Sequence, residues 1–286
     1  ATRQAERLAY ADRDAYVADT GFVALPGGSP APMLDAAYLR QRAALIDPAR
    51  SMGRASAGAL DRQPRGASSP IAEQGTTQVT IVDRFGDVVS LTSSIEAAFG
   101  AYRMTRDGFL LNNQLTDFSA VPVDEQGRPV ANRLQPGKRP RSSMAPTLVF
   151  RRNADGSRGE FLLATGSPGG AAIIQYVTKT LVGVLDWELD AQQATSMVDF
   201  GAANGPTTWV GGEHPNVFAA DGGKDDALLG GLRALGHRVE AAAQSSGIAT
   251  IVRRNGVDGA PVYEGGADPR REGVAIGHPA PLRPRP

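Results

Sequence analysis

Hydrophobic and polar positions divide the chain into a helical first part and a strand-rich second part. In residues 3–19 and 32–47 the apolar positions recur at helical spacing, and Pro32 suits a helix start, so two helices are predicted. From residue 76 the runs TTQVTIVD and DVVSLTSS are β-branched and joined by Arg84-Phe85-Gly86, which predicts a β-hairpin. Between these parts, residues 51–75 are rich in Gly, Ser, Ala and Pro, and we expect an exposed, pliable linker.

The remaining pattern predicts a mixed fold. Further strands are expected at FLLNN, TLVFRR, EFLLAT, GIATIVRR and APVYEG, which begin near residues 109, 147, 160, 247 and 260. Helices are expected over 171–186, about 190–197 and 224–235. The first of these carries an apolar stripe that should lie on a sheet, formed by Ile173, Ile174, Val177, Leu181, Val184 and Leu185. Strands and helices come in blocks, which favours packed sheets with helices outside over a doubly wound parallel sheet.

Composition narrows the chemistry that the chain can support. Its 286 residues are 41% hydrophobic, enough for a sizeable core, and 30 basic residues balance 30 acidic ones. No global charge therefore attracts nucleic acid or an anionic membrane, and no apolar run approaches the roughly 20 residues that span a bilayer. Cysteine is absent, which excludes disulfides, thiolate metal sites and a cysteine nucleophile. The three histidines, His214, His237 and His278, are far apart, which argues against a histidine metal site or a serine–histidine triad.

The tripeptide Gly75-Thr76-Thr77 opens the hairpin and raises a chemical possibility. A threonine hydroxyl needs a base to be a nucleophile, and the α-amine of an N-terminal threonine can be that base, directly or through water. Cleavage between Gly75 and Thr76 would create such a residue, and glycine leaves its carbonyl open to attack. The alternative is that two β-branched residues simply begin a strand.

The segment ATGSPGGAA, residues 164–172, lies between a predicted strand and a predicted helix. Gly169 and Gly170 would present unhindered N–H groups at a helix N-terminus, where a developing oxyanion is stabilised. The alternative is an ordinary strand-to-helix turn that uses glycine for close packing.

Two further loops carry groups suited to a zwitterionic ligand. Ser142 and Ser143, in KRPRSSMAPT, can offer hydroxyl and backbone N–H donors to a carboxylate. Asp117 and its neighbours Asn113 and Gln114, in LLNNQLTDFS, can bind and orient an ammonium group. Paired serines also occur in ordinary turns, and Asp117 can equally cap one.

Taken together and in order, these segments resemble the C-terminal half of a γ-glutamyltranspeptidase precursor, a member of the N-terminal nucleophile hydrolases. The similar blocks are AYADRDAYVAD, TTQVTIVDRFGDVVSLTSSIEAAFG, GFLLNNQLTDFS, PGKRPRSSMAPT, ATGSPGGA and GGADPRREG. They cover nearly the whole chain. The resemblance implies an α+β fold of the αββα sandwich type, present here as the C-terminal half of the precursor.

The resemblance also implies roles for the catalytic residues. Thr76 matches the threonine freed by autocatalytic cleavage after Gly75, which takes up the γ-glutamyl group as an ester. Ser94 stands where the family usually has a second threonine whose hydroxyl bonds the nucleophile; serine keeps the hydroxyl but has a less fixed rotamer. Gly169 and Gly170 match the pair that forms the oxyanion hole.

Substrate-binding roles follow in the same way. Ser142 and Ser143 match the serines that bind the glutamyl α-carboxylate, and Asp117 and Gln114 match residues that recognise the α-amine. Glu96 stands where many members have asparagine, and its carboxylate could strengthen ammonium binding or alter the acyl groups accepted. No metal or organic cofactor is expected.

The extents follow from the resemblance as well. Residues 1–75 would be the C-terminal part of a large subunit and residues 76–286 a small catalytic subunit that begins at the nucleophile. The family's α-carboxylate arginine comes from the N-terminal part of the large subunit, so we expect the present chain to need that part as a partner. Family habit further implies a periplasmic or secreted location in a bacterium.

The expected activity is γ-glutamyl hydrolysis and transfer on glutathione and related compounds, with water, amino acids or peptides as acceptors. One alternative is a glutaryl-type β-lactam acylase on the same scaffold, which would not need an ammonium site, so the retention of Asp117 argues against it. Another is a non-catalytic homologue that stays unprocessed and serves as a binding or structural module.

Overall fold

A computed structural model describes residues 2–61, 75–211 and 227–277. Most of the predicted linker, together with His214 and His278, lies outside these ranges. Within them, the helices are α1 (Thr2–Tyr16), α2 (Ala36–Ala43), α3 (Ile173–Leu185), α4 (Ala191–Ser196) and α5 (Ala227–Ala234). The strands are β1 (Thr76–Val82), β2 (Val88–Ser94), β3 (Thr147–Arg152), β4 (Arg158–Gly166), β5 (Phe200–Gly201), β6 (Thr207–Gly211), β7 (Arg238–Ala242), β8 (Ala249–Asn255) and β9 (Pro261–Ala267).

The described strands form three sheets. β1 and β2 are an antiparallel hairpin, β3-β4-β8-β9 is an antiparallel four-stranded sheet, and β5-β6-β7 is a three-stranded sheet in which β6 and β7 run parallel. The chain divides into two compact units. The first comprises Ala1–Ala72, Asn113–Ser142 and Phe200–Ala243, and the second comprises Glu73–Asn112, Ser143–Asp199 and Gln244–Pro286.

In the first unit, α1 is fastened by a buried carboxylate. Asp12 pairs with Arg42 of α2 at 3.1 Å, accepts the Tyr38 hydroxyl at 2.8 Å and accepts the Gly58 N–H at 2.7 Å. Earlier in α1, Glu6 is only 5% exposed. Burial raises the pKa of Glu6 to about 8, against the attraction of the neighbouring Arg3 and Arg7.

In the second unit, α3 and α4 cover the four-stranded sheet. The apolar core here consists of Leu163, Val184, Ala191, Ala194 and Val252. The hairpin is bonded to the ends of this sheet, since Thr80 Oγ1 donates to the Ala249 carbonyl and Ser90 Oγ donates to the Thr165 carbonyl, each at 2.9 Å. These bonds join β1 to the start of β8 and β2 to the end of β4.

Most predicted elements are confirmed, with three differences. FLLNN is not a strand: it makes one isolated bridge, Met104 to Leu110, and Phe109 and Leu111 are exposed, so no buried face holds it in a sheet. The second helix begins at Ala36 rather than at Pro32, because Asp35 is extended and caps the backbone of Ala37 and Tyr38. The short strands β5, β6 and β7 were not predicted.

The helix predicted after Gly170 forms, but its buried face differs from the expected apolar stripe. Leu185 is exposed, whereas Lys179 is 1% exposed. The Lys179 ammonium pairs with Asp199 at 2.7 Å and donates to the Met197 carbonyl at 2.8 Å. A charged side chain is buried here because its partners are buried with it.

Candidate active site

The backbone of Gly75, at the start of the hairpin, lies very close to the backbone of Glu96 and Ala97. Its N–H donates to the Glu96 carbonyl, and its own carbonyl accepts the Ile95 N–H at 3.0 Å. A Cβ atom on Gly75 would collide with the carbonyl of Ala97 and lie 2.7 Å from the Glu96 oxygen. Only glycine fits between these carbonyl groups.

Thr76 and Ser94 face each other at the open end of the hairpin. They are register partners in the β1–β2 ladder, and their hydroxyl oxygens are 2.8 Å apart. Thr76 is 5% exposed. Cross-strand neighbours on one face of a hairpin lie close enough for this contact, so the strand register itself brings the two hydroxyls together.

The Ser94 hydroxyl connects three groups around the Gly75–Thr76 bond. In addition to its contact with Thr76 Oγ1, the Ser94 hydroxyl accepts a hydrogen bond from the Glu96 N–H at 3.0 Å. It also donates to the Gly75 carbonyl oxygen, at a longer distance of 3.4 Å. A hydroxyl has one proton and two lone pairs. In the arrangement that satisfies all three contacts, Thr76 donates to Ser94 and Ser94 donates to Gly75.

Glu96 owes its position to an unusual backbone conformation. Its φ is +72°, in the left-handed region, and the residue is 2% exposed. Non-glycine residues there cost of the order of 1 kcal/mol or more and persist where surrounding contacts hold them. In this turn the conformation directs the Glu96 N–H at the Ser94 hydroxyl.

Gly169 and Gly170 form the turn between β4 and α3. Both have positive φ, +132° and +57°, and a Cβ on Gly169 would collide with the ring of Tyr176. Gly170 begins a 3-10 turn that continues into α3. Among the described residues neither N–H has an assigned acceptor, so both are available to an oxygen placed before the helix.

The predicted amine-binding residues lie in the first unit. Gln114 and Asp117 form a 3-10 turn, and the Asp117 carbonyl accepts from Asn132 Nδ2 at 2.7 Å. Ser142 also belongs to this unit, and its carbonyl accepts from the Arg13 guanidinium at 3.1 Å. The negative charge of Asp117 also acts on Arg13, where it favours the charged guanidinium and raises its pKa.

Charge and burial act together on that arginine. Burial lowers the pKa of Arg13 to about 10, and the nearby cation Arg141 adds to this, while Tyr10, Asp14 and Asp117 oppose it. Arg141 itself pairs with Asp14 at 2.8 Å. Ser143 is the next residue in the chain and belongs to the second unit.

Two arginines at these sites received no role from the sequence. Arg13 contacts Ser142, and Arg271 donates to the main-chain carbonyl of Thr76 at 3.2 Å. Both lie in blocks that carry the family resemblance, AYADRDAYVAD and GGADPRREG. Their presence in those blocks was the available signal, but their contacts depend on the fold.

Residues 2–61, 75–211 and 227–277 contain no group of three or more histidine, aspartate or glutamate side chains placed to hold a metal ion. In the same ranges, no helix is both long enough and apolar enough to cross a membrane.

Comparison with known proteins assigns the chain to a family. A family model for Gamma-glutamyltranspeptidase matches residues 1–278. The chain is 31% identical over 287 residues to the glutathione hydrolase proenzyme of Bacillus subtilis (strain 168), which covers 94% of this chain and 43% of that protein. It is 30% identical over 239 residues to the acylase ACY 1 proenzyme of Pseudomonas sp. (strain SE83), which covers 82% of this chain and 36% of that protein.

A solved structure shows the same fold over almost the entire chain. The cephalosporin acylase from Bacillus halodurans superposes with a TM-score of 0.71 at 21% identity, covering 96% of this chain and 44% of that one. At this identity the likeness is one of fold alone, a mixed α+β fold. The chain spans less than half the length of these relatives. Since the family model covers nearly all of its residues, the chain belongs to the gamma-glutamyltranspeptidase family of N-terminal nucleophile hydrolases.

Proposed function

We propose that the chain carries the nucleophile of a γ-glutamyl hydrolase and transferase that acts on glutathione and related compounds. The observation that carries the proposal is the 2.8 Å contact between the Thr76 and Ser94 hydroxyls, directly after Gly75. A hydroxyl that is buried and hydrogen-bonded to a half-buried second hydroxyl, beside a strained turn, is suited to nucleophilic chemistry. Similarity to glutathione hydrolase proenzymes supports the substrate class.

The first reaction is cleavage of the chain itself. Thr76 Oγ1 attacks the Gly75 carbonyl carbon, and its proton moves toward Ser94 while the Ser94 proton moves toward the carbonyl oxygen. The Ile95 N–H, 3.0 Å from that oxygen, stabilises the charge that develops there. The C–N bond then breaks as the carbonyl re-forms, the proton taken up by its oxygen passes to the Thr76 nitrogen, and Gly75 is left as an ester on Oγ1. Water hydrolyses the ester, which frees the Gly75 carboxylate and the Thr76 hydroxyl.

The second reaction uses the amine that this cleavage creates. With a pKa of about 7.7–8.0 in its ordinary state, the Thr76 α-amine accepts the hydroxyl proton, directly or through water. Oγ1 attacks the γ-carbonyl carbon of the substrate, and the N–H groups of Gly169 and Gly170 bind the oxyanion. The C–N bond breaks, the leaving amine takes the proton, and water or an acceptor amine resolves the ester.

Substrate recognition is proposed from the family pattern. Ser142 and Ser143 bind the α-carboxylate of the glutamyl group, and Asp117 and Gln114 bind its ammonium. Glu96 adds a further carboxylate near the nucleophile.

The architecture follows the same proposal. Residues 1–75 form the C-terminal part of a large subunit, and residues 76–286 form the small subunit of an αββα sandwich. The other half of the sandwich, with the arginine that binds the α-carboxylate, is supplied by the N-terminal part of the large subunit. Relatives about twice as long as this chain support that partner. A periplasmic or secreted location is proposed from the family.

A second candidate is a glutaryl-type acylase, favoured by the 30% identity to the acylase ACY 1 proenzyme. A glutaryl group has the side-chain length of a γ-glutamyl group but no ammonium. An acylase of this kind would therefore gain nothing from Asp117.

The test uses the full-length protein and two chromogenic anilides, γ-glutamyl and glutaryl. Intact mass should reveal a new N-terminus at Thr76, and the γ-glutamyl anilide should be the better substrate. Thr76→Ala should abolish cleavage and turnover together because one hydroxyl serves both, whereas Thr77→Ala, at the exposed neighbouring position, should retain them. Preference for the glutaryl anilide would favour the acylase. An uncleaved wild-type chain inactive on both anilides would indicate the non-catalytic homologue.

A further inference from the structure

Arg271 reaches the candidate nucleophile from the segment that follows β9. Its Nη1 donates to the main-chain carbonyl of Thr76 at 3.2 Å, although the two residues are 195 positions apart in the chain. This contact acts on the backbone of Thr76 and leaves the Thr76 hydroxyl to Ser94.

The same guanidinium holds a second carbonyl group. Nε and Nη2 of Arg271 donate to the Ser245 carbonyl at 3.2 and 2.8 Å. A guanidinium presents five donors in one rigid plane, so it can fix two carbonyl groups relative to each other. The ammonium of lysine has no such plane.

The stem of Arg271 also packs against Gly247, a residue that contacts the loop leading to the diglycine turn. A Cβ on Gly247 would lie 2.6 Å from Arg271 Cδ and 2.7 Å from Pro168 Cγ, so both side chains pack closely against this glycine. The Gly247 N–H donates to Ser167 Oγ at 3.2 Å. Pro168 directly precedes Gly169, so Gly247, which Arg271 contacts, lies against the segment that leads into the Gly169–Gly170 turn.

A buried charge cluster anchors the backbone from which Arg271 extends. The preceding residue, Arg270, pairs with Asp199 and Asp268 at 3.1 Å each. Asp199 also pairs with Lys179, and the Arg271 N–H donates to the Asp268 carbonyl at 3.3 Å. The arginine is therefore mounted on a rigid part of the second unit.

We propose that Arg271 is a positioning residue, which holds the main chain of Thr76 in register with the Gly169–Gly170 turn. The contact made by Arg271 matters more after self-cleavage, because Thr76 is then the free N-terminal residue of β1 and is no longer restrained by Gly75. A strand end without a tether frays, and a displacement of about 1 Å can cost a hundredfold in rate. The inference rests on the proposed function and adds a residue to that site.

The experiment compares Arg271→Ala, Arg271→Lys and the control Arg151→Ala in the full-length protein. Arg151 is an exposed arginine of the same unit that pairs with Glu160. Arg271→Ala should lower kcat on γ-glutamyl anilide about tenfold to hundredfold with little change in KM, because substrate contacts remain. The kcat of Arg271→Lys should lie between those of Arg271→Ala and wild type, and the kcat of Arg151→Ala should equal that of wild type.

Chemical rescue separates positioning from general stability. Methylguanidinium, at concentrations far below those that unfold proteins, should raise the kcat of Arg271→Ala, whereas sodium chloride at equal ionic strength should not. The unfolding temperature of each variant shows whether it is folded. If Arg271→Ala does not fold, Arg271→Lys provides the test.

The possible outcomes distinguish the two proposals. If the wild type is active and Arg271→Ala has the same kcat, the positioning role is refuted and the proposed function stands. The same conclusion follows if Arg271→Ala loses activity through KM, or if methylguanidinium does not rescue its kcat. If the wild type neither cleaves itself nor turns over γ-glutamyl anilide, the proposed function fails and this inference fails with it.

Discussion

Replacing Ser94 by alanine removes the hydroxyl that links Thr76 to the bond before it. The change leaves the Glu96 N–H and Thr76 Oγ1 without contacts of 3.0 and 2.8 Å, and it removes the longer contact of 3.4 Å to the Gly75 carbonyl. One net hydrogen bond contributes about 0.5–1.5 kcal/mol, and Ser94→Ala removes two of normal length. We take about 1.4–2.7 kcal/mol as the loss in the transition state, or roughly tenfold to hundredfold in rate.

The assay follows self-cleavage of freshly refolded or newly synthesised full-length protein by intact mass. Ser94→Ala should slow the appearance of the two fragments by that factor, and the cleaved enzyme should show a similar loss in kcat. Ser94→Thr keeps the hydroxyl with a more restricted rotamer and should cleave at least as fast as wild type. Ser93→Ala, at the exposed adjacent position of β2, is the matched control. Cleavage of Ser94→Ala at the wild-type rate would refute the role of this hydroxyl.

Two other substitutions test charge in the first unit. Asp117→Ala should reduce kcat/KM for γ-glutamyl anilide about tenfold to hundredfold and spare the glutaryl anilide, because only the former carries an ammonium; equal losses would contradict the assignment. Glu6→Gln should remove a pH dependence of stability. Since the folded pKa of Glu6 is about 8 and its ordinary value 4.5, its contribution is complete below pH 4.5 and is lost as pH rises through 8. Urea unfolding of wild type should therefore lose up to about 1.4 kcal/mol per pH unit within that window. If the free energy of unfolding of Glu6→Gln falls with pH as steeply as that of wild type, Glu6 is not the source. The same conclusion follows if this pH dependence disappears in the exposed control Glu125→Gln.

The local pattern of the sequence predicted the hairpin and the helix after Gly170 because both have strong periodic signals. The alternation in β1 and β2 sets the register, and the register determines that Thr76 meets Ser94. The short strands β6 and β7 were missed because runs of five residues carry little alternation and pair only across a crossover.

The contacts made by charged residues were beyond reach of the sequence. Lys179 lies on the buried side of α3 because Asp199, 20 residues later, is buried with it, and no periodicity encodes that pairing. Arg271 likewise bonds a carbonyl 195 residues away. The contact of Arg271 depends on where the segment after β9 packs, which the local sequence pattern does not encode. Roles for Gln114, Asp117, Ser142 and Ser143 came from family resemblance and stay predictions.

Under the self-cleavage proposed above, the close approach of Gly75 to the Ala97 carbonyl bears on how an uncleaved precursor can be prepared. A bulkier residue at position 75 is the obvious means of blocking scission, yet it would push the strand entrance away from the turn at residues 95–97 before it affected any bond chemistry. A precursor blocked in that way would have a distorted entrance and would misrepresent the geometry before cleavage. Removing the hydroxyl of Thr76 instead leaves that close approach intact, and is therefore the better means of capturing the zymogen.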